Sequence, residues 1–157
     1  MNIDSFTAAY SPPDRSRIAF ESNGLKGPEL RDRNVHFRRH VIAAIIETPV
    51  IATDQLIRDL YDAETQYSQS SFSVHHPSVA ALAQELLTRG GDENLSHYLR
   101  CVDRAFDSYM SSQCVTLNRR DAVAAIGYID KKIAELGEDA PEHYSRVRGN
   151  IERRNLA

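Results

Sequence analysis

The chain has 157 residues, 41% of them hydrophobic and 26% charged, with a formal net charge of -3. These values fit one globular domain able to bury roughly two thirds of its unfolded surface, and they exclude wholesale disorder, a fibrous repeat and a generally basic nucleic-acid binder. The longest apolar run, Val41 to Ile46, is far shorter than the roughly 20 residues that span a bilayer, and no basic segment leading into an apolar one opens the sequence. The expected setting is therefore the cytoplasm without a membrane partner, with secretion by a non-classical route as the alternative.

Residues 1–28 hold half of the prolines, several serines and Gly24 and Gly27, with no sustained period. This predicts an irregular or mobile arm. Its isolated aromatics, Phe6 and Tyr10 among them, are candidates for docking onto a partner.

Residues 29–157 predict a helical domain. The first helix is expected from about Glu29 to Thr48, ended by Pro49, which lacks an N–H and restricts the residue before it. A second follows Thr53 as N-cap and carries Leu56, Leu60, Ala63 and Tyr67 at helical spacing. The polar stretch at 68–74 predicts a loop. A third helix starts at Pro77, well suited to a first turn, and stops at Gly90 and Gly91.

A fourth helix after Asp92 has the clearest amphipathic pattern. On one continuous wheel, Leu95, Tyr98, Leu99, Val102, Ala105, Phe106, Tyr109 and Met110 fall within an arc of about 140°, which predicts a single buried stripe. Arg100, Asp103, Arg104 and Asp107 would form its solvent face. A fifth helix begins after Asn118, buries Ala122, Ala125, Ile126, Ile129, Ile133 and Leu136, and ends at Gly137. A sixth follows Asp139, whose spacing to Glu142 resembles a capping box. With no two-period strand longer than four residues and no internal repeat, the expected fold class is all-α: a single-domain bundle of five to six helices with a partly irregular N-terminal arm.

The stretch 34–47 combines His36 and His40 with Arg38 and Arg39. Histidines one helical turn apart can share a metal ion, and His97 with Cys101 repeats that spacing on another helix. If those helices packed together, His36, His40, His97 and Cys101 could supply four ligands, although both pairs lie outside the predicted core faces. The expectation is that no metal is bound, and no cofactor motif is found. Cys101 and Cys114 are read as reduced thiols.

Arginines outnumber lysines strongly, with only Lys26, Lys131 and Lys132 among nineteen basic residues. They form three doublets: Arg38 and Arg39, Arg119 and Arg120, Arg153 and Arg154. Converging doublets would make a nucleic-acid footprint, but no helix–turn–helix motif emerges. Asp59, Asp62 and Glu64 suit a solvated helix surface, and His75 and His76 mark a helix entry, with proton transfer as the alternative. No G-x-S-x-G, phosphate-binding loop or dinucleotide fingerprint is present, so a catalytic site is not expected.

What remains is a non-enzymatic module that binds another protein, such as a regulator, inhibitor, immunity protein or adaptor of bacterial or phage type. Seven tyrosines and the arginine surplus, both favoured at interfaces, are its positive support. The candidate interaction residues are Arg38, Arg39, Arg119, Arg120, Phe6 and Tyr10. A DNA-binding regulator, a translocated effector and a metal-binding protein are the alternatives, and self-association into a homo-oligomer is compatible with each.

Overall fold

The computed structural model describes residues 2–72 and 77–157. They form an all-α single domain: α1 Ile3–Ala8, α2 Val35–Glu47, α3 Asp54–Ser71, α4 Pro77–Arg89, α5 Asp92–Cys101, α6 Phe106–Ser112, α7 Arg119–Leu136 and α8 Glu142–Asn155, with short 3-10 turns between them. Among the described residues there is no strand; an isolated antiparallel bridge joins Ser22 to Asp32. No helix of the described residues is long and apolar enough to cross a membrane.

Local chemistry sets most boundaries where the sequence puts them. Thr53 caps α3 by accepting a hydrogen bond from Leu56 N, and Asn118 caps α7 by accepting from Asp121 N, which satisfies donors that have no partner within the helix. Gly90, Gly91 and Gly137 take positive φ at helix ends, where a side chain would be strained. Arg89 at the end of α4 donates to the carbonyls of Ala52 and Pro49 and to Asp54, locking that end to the turn that leads into α3.

The core lies between α2, α3, α4, α5 and α7. Val41, Ile42 and Ile45 of α2, Leu56, Ile57, Leu60 and Tyr61 of α3, and Leu82, Leu86 and Leu87 of α4 are all buried. Tyr61 stacks on Tyr98 of α5 with ring centroids 5.9 Å apart. The last two helices make an antiparallel hairpin. Leu117 N, just before α7, donates to Asn155 Oδ1 at the end of α8, and Arg148 pairs with Asp130 midway along.

Four features depart from the sequence reading. Within the segment expected to be loose, residues 3–18 are packed onto the bundle: Phe6, Tyr10 and Ile18 are at most 7% exposed. Phe6 meets Tyr10 and Phe37 edge-on, at 5.6 Å and 5.0 Å. The helix expected from Glu29 starts at Val35, because the residues before it form a 3-10 turn and the Ser22–Asp32 bridge.

The third departure concerns the fourth helix, which breaks into α5 and α6. Ala105 between them is extended, with φ -144° and ψ 155°. One extended residue resets the helical phase, so the continuous wheel fails beyond Val102. Phe106 and Met110, expected inside, are 75% and 37% exposed. The predicted loop at 68–74 begins later than expected, since α3 continues to Ser71.

Candidate functional site

Arg38 and Arg39 are neighbours in sequence with different fates. Arg38, a candidate contact for a partner, is completely buried. Its Nε donates to Glu64 at 2.6 Å, Nη2 to Asp32 at 2.7 Å and Nη1 to the Ile18 carbonyl at 3.3 Å. Glu64 also accepts from Ser78 Oγ at 2.9 Å, and Asp32 from the main-chain N–H groups of Glu21 and Asn34. This ion cluster ties the N-terminal segment, α2, α3 and α4 together, and it explains why Glu64 is not on the solvated surface expected for it. Arg39 is half-buried over the Tyr67 ring, 5.0 Å from its centroid. Phe6 and Tyr10 are core residues and not exposed anchors.

A second polar cluster lines a cleft of about 420 Å³ walled by Arg15, Gln55, Arg58, Asp59, Glu93, Ser96, His97 and Arg100. Asp59 is 5% exposed; it accepts from Tyr10 Oη at 2.7 Å and Gln55 Nε2 at 3.0 Å, and pairs with Arg15. Burial first, then the bond to the Asp59 carboxylate, keeps the Tyr10 phenol protonated. Asp62, three residues on, is held by Arg15, Gln66 and Arg104. Arg104, expected on a solvent face, instead reaches from the α5–α6 break to Asp62 and Thr65 of α3.

Beside this cleft, which shares His97 with the cluster, α3 and α5 bring Asp62, His97 and Cys101 together, with one ligand atom of each within 4.8 Å of the others. Cys101, expected beyond its helix's core face, is only 1% exposed. Burial pushes its thiol up to about 11, against the opposing pull of Arg104, so it is a poor nucleophile. Burial also lowers the pKa of His97, with Asp62 opposing the shift, so the neutral imidazole is favoured. His36 and His40 stand on α2, outside this cluster. His75 and His76 lie outside the described residues.

The other two arginine doublets do converge. The bond from Leu117 N to Asn155 places the start of α7 beside the end of α8, so Arg119, Arg120, Arg153 and Arg154 share one end of the hairpin, all exposed. Arg153 and Arg154, with Gln113 and Asn150, line a cleft of about 270 Å³ there. Sequence reasoning identified the doublets but not their convergence, which depends on how two helices pair.

A separate cleft of about 390 Å³ lies between the end of α3 and the start of α6. It is lined by Ser68, Gln69, Phe72, Arg104, Ala105, Phe106 and Asp107. Phe72 and Phe106 are 74% and 75% exposed. Phe72 adopts the left-handed conformation, φ 51°, which a bulky residue seldom takes. The continuous wheel, by assigning Phe106 to the core, concealed this pair. Compared with protein families, with curated proteins and with solved structures, the chain matches none of them.

Proposed function

We propose that the chain is a non-enzymatic helical module of the cytoplasm that binds another protein, as a regulator, inhibitor, immunity protein or adaptor of bacterial or phage type does. The observation that carries this reading is the pair Phe72 and Phe106, three-quarters exposed on the two walls of one cleft. Two large aromatic faces left in water are the kind of anchor that dominates binding energy when a partner covers them. Arg104 and Asp107 at the same cleft supply a polar rim that would fix the partner's orientation.

The variant that tests it is Phe72→Asn with Phe106→Ser, because Asn tolerates the left-handed backbone that Phe72 occupies. Wild-type chain on a nuclease-treated native lysate is expected to retain one protein near stoichiometrically, or to self-associate in sedimentation. The double variant should lose that association at least tenfold, the scale of an aromatic hot spot. No association by wild type, or equal retention by the variant, would end this reading.

The exposed arginine end favours a second reading, a nucleic-acid contact through Arg119, Arg120, Arg153 and Arg154. Among the described residues none of these four forms an ion pair with an acidic side chain, whereas the nearby Arg148 is paired with Asp130 and Glu152. Binding by counterion release would fall steeply with salt, and replacing Arg119 and Arg153 with Ala should reduce the slope of log affinity against log salt by roughly two. An affinity indifferent to salt excludes this reading.

A further inference from the structure

His97 and Cys101 are one helical turn apart on α5, and α3 packs across them so that Asp62 faces both. His97 Nε2 lies 3.7 Å from Cys101 Sγ, and Cys101 Sγ lies 3.9 Å from Asp62 Oδ1. In a tetrahedral zinc site, with metal–ligand bonds of about 2.0–2.3 Å, neighbouring ligand atoms sit about 3.4–3.6 Å apart. The side chains therefore need to move only a few tenths of an ångström along these two edges to hold one ion. Sulfur, imidazole nitrogen and a single carboxylate suit zinc, whereas magnesium and calcium require oxygen shells. We propose that Asp62, His97 and Cys101 bind a single zinc ion that ties α3 to α5, with a water from the adjoining cleft as the fourth ligand.

The surroundings support this assignment. Asp62 is oriented by hydrogen bonds from Arg104 to Oδ1 and from Arg15 and Gln66 to Oδ2, the kind of outer contact that steers ligating carboxylates. The neutral state favoured for His97 leaves one ring nitrogen without a proton, as coordination requires. The thiol is protonated in the metal-free protein, so binding exchanges one proton for the metal: the Cys101 S–H bond breaks, the S–Zn bond forms, and the proton leaves to solvent. His36 and His40 take no part.

Arg100 supplies an internal control. Its Nη2 lies 3.2 Å from His97 Nδ1. Coordination through Nε2 puts the imidazole proton on Nδ1, where it would face another donor. Arg100 is exposed and can turn away, so Arg100→Ala should bind zinc as tightly as wild type or more tightly.

The test is equilibrium dialysis of the metal-free full chain against zinc chloride at neutral pH, read by elemental analysis. Wild type, R100A, C114S and the H36A/H40A variant are expected to retain one zinc per chain, with release of one proton on binding. H97A and C101S should each retain less than a tenth of that. Wild type holding well under one equivalent, or a folded C101S holding a full one, would overturn the proposal. Should both variants fail to fold, wild type with cobalt(II) chloride decides the matter: a sulfur-to-cobalt charge-transfer band supports the site, and its absence rejects it.

Discussion

Arg38→Met, made with Asp32 and Glu64 left in place, is expected to remove about 3–5 kcal/mol of folding stability, because it leaves the buried Asp32 carboxylate without its counterion and Glu64 with only the longer contact to Arg39, at 3.7 Å. Both partners are essentially inaccessible to water, with side-chain exposures of 0% and 1%. Urea denaturation should show the loss as a lower midpoint with little change in slope. A companion variant isolates the cause: Arg38→Met with Asp32→Asn and Glu64→Gln removes all three charges. Asn keeps an oxygen for the main-chain donors of Glu21 and Asn34, and Gln keeps one for Ser78. Replacing a buried ion cluster as a unit is often close to neutral, so the triple variant should recover more than half of what the single one loses. A single variant within about 1 kcal/mol of wild type would mean that Arg38 is not buried in solution.

Phe6→Ala is expected to cost about 3–5 kcal/mol, as removal of a buried aromatic ring does. The ring is 3% exposed, meets Tyr10 and Phe37 edge-on, and lies under the Arg17 guanidinium at 4.9 Å. The same denaturation experiment reads the result. Were the first 28 residues a loose arm, the substitution would change the midpoint by no more than its error, so the outcome separates two opposed views of this segment.

Much of the bundle was legible from side-chain spacing and capping residues. Thr53, Pro77, Asn118 and Gly137 mark helix ends by local chemistry, and the structure keeps each of them. The misplaced parts have physical reasons. A wheel assumes one unbroken helix, and the extended Ala105 breaks that assumption while leaving the pattern of residues intact, so Phe106 was assigned to the wrong side. Arg38, Asp59 and Glu64 resemble surface residues because charge normally stays in water. Only long-range pairing, Arg38 to Glu64 and Tyr10 to Asp59, reveals that their charges and hydrogen bonds are satisfied inside.

The candidate sites divide along the same line. The turn spacing of His97 and Cys101 was visible in the sequence, but their third neighbour was not, because Asp62 comes from another helix. The arginine doublets were visible too. That two of them share one end of a hairpin, while Arg38 of the third is sealed inside, follows from tertiary packing that no local pattern encodes.

The Tyr10–Asp59 bond spans 49 residues, and this separation has a consequence for the order of assembly during synthesis. Residues 3–18 leave the ribosome before the surface that receives them, which is built by α2 and α3. Until residues through Asp59 have emerged, Phe6, Tyr10 and Ile18 lack most of the surface that buries them. For that interval the nascent chain displays an uncovered hydrophobic segment, a natural target for chaperones that guard emerging polypeptides.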